Sequence, residues 1–227
     1  MTARCRLGWW IENPAEAQRL AEPPGRSRWL TQEEAARLAA AAKQERRAAH
    51  LVDFILLGLH TGMRTGEMLK LEWRRVDLQQ GRILLEAENQ KNGRLGSVPL
   101  NRTAREAILS RARFRATHCP ASPWVFCARE GERIASIKKG FAAAVRRAGI
   151  PPCTPHDLRR TCASWLGQAR TPIQEVARLP RHADIQTTLD VYAHLMPDQL
   201  RGTVAILDRH NLVIGHDQGE RKTASSR

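Results

Sequence analysis

The sequence predicts an α+β protein, mainly helical, with a small three-stranded antiparallel sheet. Two observations carry this reading. Apolar residues recur at helical spacing behind well-formed start signals, and three short strand-like runs between residues 75 and 100 are separated by turn dipeptides. At 227 residues the chain is long enough to bury a substantial core in one main domain.

Residues 1–29 come first and differ from the rest. Trp9-Trp10-Ile11-Glu12-Asn13-Pro14 followed by Glu22-Pro23-Pro24-Gly25-Arg26 reads as a scrap of helix and then a linker. Thr31 with Glu34 forms a capping box, opening an Ala-rich helix to about residue 44. A second helix from about Arg47 to His60 carries Leu51, Phe54, Ile55 and Leu59 on one apolar stripe. Its end delivers Thr61-Gly62-Met63-Arg64-Thr65-Gly66-Glu67, two glycines bracketing an arginine, before a short helical run to Leu71.

The strand candidates are Arg75 to Leu78, Arg82 to Glu86 and Ser97 to Leu100, split by Gln80-Gly81 and Lys91-Asn92-Gly93. Lys91 is thereby expected at a hairpin tip. Helices resume at about 102–115 and 136–148, with a buried loop or short strand around Trp124 between them. Thr154-Pro155-His156-Asp157 is a further helix start, with Thr154 as cap, Pro155 in the first turn and Asp157 completing a capping box. His156 and Arg159 fall three residues apart on one face near its positive end, where a phosphate would sit. Thr171-Pro172 is read as a similar cap, and Asp184 as the cap of a helix carrying Tyr192. Residues 198–208 suit one more amphipathic helix, and 209–227 read as a disordered polar tail.

Charge narrows the partners. Lys and Arg number 37 against 23 Asp and Glu, a formal net charge of +14. Such a surface favours a polyanion, with nucleic acid the first candidate. The cysteines at 5, 119, 127, 153 and 162 form no C-x-x-C pair, and five is an odd count; they read as reduced thiols. Cys162 reads as a packing residue. The most apolar stretch, residues 51–59, is too short for a membrane span and carries Asp53. No secretory signal core precedes a cleavage site, so a cytoplasmic, membrane-free protein is expected. No residue spacing suggests a metal site or a cofactor.

Tyr192 is the only tyrosine. A tyrosine hydroxyl is a nucleophile that forms covalent intermediates, but at its ordinary pKa near 10 it needs cationic neighbours and a base. Two arginines and two histidines around one tyrosine describe a site for a phosphodiester, because arginine forks match phosphate oxygens and stabilise the transition-state charge.

In this combination the chain resembles the catalytic domain of a tyrosine recombinase of the phage-integrase family, over about residues 28 to 205. The family's first arginine motif matches at Arg64 with Glu67 beside it, its hairpin lysine at Lys91, and its His-x-x-Arg motif at His156 and Arg159. Its second histidine matches at His182 and its nucleophile at Tyr192. The family's usual Leu-Gly-His is here Leu179-Pro180-Arg181-His182, and Arg160 stands where family members often carry another histidine.

The resemblance implies site-specific DNA recombination or integration by cleavage without water, metal or cofactor. Arg64 and Arg159 would hold the non-bridging phosphate oxygens, and Lys91 would protonate the leaving 5′-hydroxyl. His156 would assist proton transfer with Tyr192, His182 would hydrogen-bond a phosphate oxygen, and Glu67 would orient Arg64 or a histidine as a supporting carboxylate. Tyr192 would form a 3′-phosphotyrosyl link that a partner strand's 5′-hydroxyl reverses. Double-stranded DNA is the implied partner and a homotetramer the implied assembly, with accessory DNA-bending proteins a further class of partner. The domain plan is then a remnant of a DNA-clamping domain plus linker at 1–29, the catalytic domain at 30–208 and the tail at 209–227. Two other readings stay open: a DNA-binding fragment that no longer cleaves productively, and a type IB topoisomerase. The integrase-like wording around Tyr192 and the short chain count against the topoisomerase.

Overall fold

In a computed structural model, residues 28–45, 48–85, 96–169 and 171–179 are described. The first helix, α1 (Gln32–Lys43), starts where the sequence places it: the Glu34 N–H donates to Thr31 Oγ1 at 3.1 Å, and Glu34 Oε2 accepts from the Thr31 N–H at 3.0 Å. Both halves of the capping box are closed.

The second helix, α2 (His50–Thr61), is the one around which the others pack. Leu51, Phe54, Ile55, Leu57 and Leu59 are all at most 3% exposed, because α2 is covered by α1, by α4 (Arg102–His118) and by α6 (Pro155–Gln168). A helix that is apolar on most of its circumference belongs in such a central position. It starts three residues later than the expected Arg47. Phe54 meets Phe126 edge to face with ring centroids 5.5 Å apart, tying α2 to the loop around Trp124.

A short α3 (Thr65–Leu69) and a 3-10 turn (Trp73–Arg75) lead into the sheet. Strands β1 (Val76–Asp77), β2 (Arg82–Leu85) and β3 (Gly96–Pro99) pair antiparallel in the order β1-β2-β3, with Ile83 opposite Val76 and Val98. Ile83, Leu85 and Val98 face the core, while Leu84 is 41% exposed, the alternation expected of a sheet with one dry face. The mainly helical α+β architecture with its three-stranded antiparallel sheet is the one the sequence predicts.

The segment around Trp124 is a loop with isolated bridges. It braces the chain behind α3: the Trp73 N–H donates to the Pro123 carbonyl and the Val125 N–H to the Leu71 carbonyl, each at 2.9 Å. After α5 (Lys138–Ala148), which packs on α1, the chain enters α6 and then α7 (Ile173–Arg178). The cap of α7 is Pro172, not Thr171: Pro172 holds the extended cap conformation (φ −53°, ψ 136°), and among the described residues it carries no side-chain cap bond. The entry strand is stitched to α6 at both backbone groups of Leu30. Its N–H donates to Thr161 Oγ1 at 2.9 Å, and its carbonyl accepts from Trp165 Nε1 at 3.0 Å. Among the described residues no helix is long and apolar enough to cross a membrane. Residues 1–27 of the remnant and linker expected at 1–29, the Tyr192 helix, the last amphipathic helix and the tail lie outside the described residues.

Candidate active site

The site begins where α2 stops. Gly62 ends the helix in the left-handed conformation (φ 61°, ψ 18°), its N–H donating back to the Gly58 carbonyl at 3.0 Å. Glycine adopts this geometry without the Cβ clash other residues meet. The turn points the Gly62 carbonyl away from the helix and aims the chain so that Arg64 becomes the cap of α3. Glu67 then uses both oxygens on Arg64: Oε2 accepts the Arg64 backbone N–H and Oε1 the Arg64 Nη1, each at 2.8 Å. The Glu67 side chain is 5% exposed and that of Arg64 32%, so the carboxylate is the buried anchor and the guanidinium reaches toward solvent. The sequence left open whether Glu67 orients Arg64 or a histidine; these contacts are with Arg64.

The second arginine arrives on α6. At its start Asp157 Oδ2 accepts the Thr154 N–H at 2.7 Å and the Thr154 hydroxyl at 2.9 Å, fixing where the helix begins. Asp157 Oδ1 also lies 3.5 Å from Arg160 Nη1. Two residues beyond Asp157, Arg159 turns inward. It is 4% exposed and its Nη1 donates to the Gly62 carbonyl at 2.8 Å, a buried bond spanning most of the described chain. Both arginines are therefore tied to one three-residue turn, Gly62-Met63-Arg64: Arg159 by its bond to the Gly62 carbonyl, Arg64 as the turn's last residue.

His156 stands in the first turn of α6 and is exposed. Desolvation by the protein around it lowers its proton affinity below the ordinary histidine value, and the charges of Arg160, Arg159 and Arg64 add to this against the opposing pull of Asp157. Arg64, Arg159 and His156 thus share one electrostatic site, in which the imidazole stays neutral at neutral pH. A cationic site with a neutral histidine suits a phosphodiester that must gain charge in its transition state.

The spacing of these groups depends on how closely α2 and α6 approach. A Cβ built on Gly58 would lie 3.1 Å from Leu158 Cδ1, 3.3 Å from Leu158 Cβ and 3.3 Å from Met68 Cε. Gly58 therefore lets α6 press onto α2 one residue from Arg159 and one turn from Gly62. An isolated glycine inside an apolar helical run is the signal that could have identified it. His60, to which the sequence assigns nothing, is a second such link. Its Nδ1 is 2.9 Å from Asn101 Nδ2, while Asn101 Oδ1 accepts the Ala104 N–H, so the amide donates and the imidazole proton resides on Nε2. The ring also meets Trp165 edge-on at 6.4 Å, joining α2, α4 and α6.

The structure thus brings together Arg64, Glu67, His156 and Arg159. Lys91, His182 and Tyr192 lie outside the described residues; β2 and β3 flank the segment that contains Lys91. Among the described residues, no group of three His, Cys, Asp or Glu side chains could hold a metal ion.

Comparison with known proteins bears directly on this geometry. The sequence pattern of the Phage integrase family matches residues 28–199. The integrase of Salmonella phage P22 is 30% identical over 206 residues, covering 85% of this chain and 50% of its own length. Tyrosine recombinase XerC of Azotobacter vinelandii is 32% identical over 139 residues, 60% of this chain and 44% of its own. The chain spans about half the length of these curated relatives. Among solved structures, the XerA recombinase superposes with a TM-score of 0.64 at 26% identity, covering 83% of this chain and 67% of that one. The Tn1549 transposon integrase bound to transposon right-end DNA gives 0.68 at 19% identity, covering 83% and 69%, a likeness of fold.

Proposed function

Since the chain belongs to the phage integrase family, we propose that it is the catalytic part of a tyrosine-type site-specific DNA recombinase, cutting and rejoining DNA through a phosphotyrosyl intermediate at Tyr192. The observation that carries this reading is the convergence of Arg64 and Arg159 on the Gly62 turn, with His156 in the first turn of the helix that delivers Arg159.

In this proposal the scissile phosphate lies against the first turn of α6, held by the two guanidinium forks. Glu67 keeps Arg64 extended toward solvent, and the Gly62 carbonyl fixes the direction of Arg159. His156 takes up or returns the Tyr192 proton, for which a neutral ring is the competent form. As Tyr192 attacks, charge grows on the phosphate oxygens the arginines face. Lys91 protonates the departing 5′-oxygen and His182 hydrogen-bonds a non-bridging oxygen. The phosphotyrosyl bond keeps the energy of the broken phosphodiester, so a 5′-hydroxyl reverses the step without ATP.

The net charge of +14 suits a duplex partner. Exchange between two duplexes needs four such sites, so the working assembly is a homotetramer on cytoplasmic DNA, with accessory DNA-bending proteins as further partners. Residues 30–208 form the catalytic unit, 1–29 the remnant of a clamping domain and its linker, and 209–227 a polar tail.

The test is a nicked duplex carrying a recombination site, incubated with the protein in EDTA and resolved on a denaturing gel. The expected result is a covalent protein–DNA adduct that Tyr192→Phe abolishes. Salt-sensitive binding with no adduct would replace this reading with that of a DNA-binding fragment that does not cleave productively.

A further inference from the structure

Far from the arginines, where α4 ends, two cysteines eight positions apart meet inside the protein. Cys119 is the cap residue at the end of α4 and Cys127 pairs with Arg133 in an isolated antiparallel bridge. They are 7% and 1% exposed, and their sulfurs lie 3.2 Å apart. Neither the C-x-x-C spacing nor the cysteine count announces this pair.

Its surroundings are cationic. The Arg111 side chain is 2% exposed, with Nη1 3.6 Å from Asp53 Oδ2 and Cζ 4.2 Å from the centre of the Phe114 ring. Among the described residues, Arg111 Nε and Nη2 have no hydrogen-bond partner. A negative charge on either sulfur would favour the charged guanidinium, Cys127 more strongly than Cys119. A cavity of about 350 Å³ opens beside them, lined in part by Cys127, Arg111, His50, Phe114 and Ile134. Cys119 does not line it.

We propose that Cys127 is an oxidation site and Cys119 its resolving partner, so that hydrogen peroxide entering the cavity converts the pair into a disulfide. The two roles follow from the geometry: Cys127 forms part of the cavity wall, where peroxide arrives, and Cys119 lies behind it with its sulfur 3.2 Å away. The Cys119 thiol is pushed up to about 11 by burial and by its neighbour Cys127, which suits the second, resolving step rather than the first. In the first step the Cys127 thiol gives up its proton as its sulfur attacks one peroxide oxygen, the O–O bond breaks, and the departing hydroxide takes that proton to become water. In the second, the Cys119 sulfur attacks the sulfenic sulfur, hydroxide leaves and accepts the Cys119 proton as a second water. Two thiols are oxidised by two electrons and one peroxide is reduced to two waters. The sulfurs need to approach by only about 1 Å to reach bonding distance. The bond joins the end of α4 to the loop that braces Leu71 and Trp73 behind α3.

The pair is testable on the full chain. Residues 116–129 form one tryptic peptide containing both cysteines and no internal Lys or Arg. After hydrogen peroxide, denaturation and alkylation with N-ethylmaleimide, that peptide is expected to carry no alkyl group and to lack two hydrogens. Cys153 and Cys162, pushed up to about 11 and about 12 by burial, remain alkylated. Dithiothreitol restores the reduced peptide, and the oxidised protein melts several degrees higher. In Cys119→Ser, dimedone is expected to trap a sulfenic acid on Cys127; in Cys127→Ser it is expected to trap none on Cys119. Arg111→Lys, which keeps the buried charge but loses the fork, slows oxidation several-fold. A peptide 116–129 still alkylated at both cysteines after peroxide, in protein whose circular dichroism is native, overturns the proposal. So does equal dimedone labelling of Cys119 and Cys127 in the two serine variants.

Discussion

Replacing Gly58 with alanine separates the stability of this fold from the aim of its arginines. Two effects on stability oppose one another. Alanine in a helix interior is favoured over glycine by about 1 kcal/mol. The added methyl, however, lands 3.1 Å from Leu158 Cδ1 and 3.3 Å from both Leu158 Cβ and Met68 Cε. The ends of Leu158 and Met68 can swing away, but Leu158 Cβ is bonded to the α6 backbone, so α6 itself must shift by a few tenths of an ångström. Overpacking of this kind costs about 1–2 kcal/mol. The net change in stability is then within about 1 kcal/mol of zero, a shift of only a few degrees in melting temperature. The shift of α6 acts on the residue after Leu158, which is Arg159. Its 2.8 Å bond to the Gly62 carbonyl is lengthened and its spacing from Arg64 changes. A hydrogen bond to a charged group contributes about 1.5–3 kcal/mol, and weakening it by about half in the transition state slows cleavage by a factor of about 3 to 10. Single-turnover adduct formation on the nicked duplex, paired with thermal melting, reads both quantities. Gly140→Ala is the control: its Cβ would have Ala48 Cβ at 3.5 Å and Leu51 Cδ2 at 3.7 Å as its nearest neighbours, ordinary contacts on α5, so it should melt no lower and cleave normally. Gly58→Ala cleaving at the wild-type rate, or Gly140→Ala cleaving equally slowly, would refute the reasoning.

Two further predictions follow from single residues. Gly62→Ala forces a side chain into the left-handed region at φ 61°, at a cost of about 1 kcal/mol, while Gly62→Asn costs less because asparagine tolerates that region; melting temperatures should rank wild type, Asn, Ala. His50 is held down to about 4 by desolvation and then by the Arg111 charge, against an ordinary value of 6.5. Between those values the unfolded chain binds a proton the folded one does not, so stability is full above about 6.5 and falls as pH drops toward 4. Urea unfolding at pH 7 and pH 5 should show wild type losing about 2 kcal/mol more than His50→Gln over that interval.

What the sequence made legible was local. Thr31 with Glu34 and Thr154 with Asp157 mark helix starts within four residues, and the alternation of Ile83, Leu84 and Leu85 marks a strand with one buried face. Arg64, His156 and Arg159 were legible as a set because their spacing matches a known order of motifs. Their mutual geometry was not. The Arg159 bond to the Gly62 carbonyl joins residues 97 apart, and the Gly58 contact joins α2 to α6; no short-range pattern encodes either. Cys119 and Cys127 were hidden for a related reason, since a helix end and an isolated bridge bring them together rather than a metal-binding or redox spacing. Thr171 looked like a cap by analogy with Thr154, but no carboxylate follows it three residues on, and the fixed φ of Pro172 takes the cap position instead.

The most direct test of the central claim, that Arg64 and Arg159 hold one phosphate through one turn, is a double-mutant cycle on the cleavage rate with Arg64→Lys, Arg159→Lys and the double variant. Lysine keeps each charge and removes each fork. Groups that act on the same phosphate as a unit are not additive, so the double variant should be markedly less impaired than the product of the two single losses. Losses that multiply within a factor of about two, consistent with independent sites, would contradict the claim.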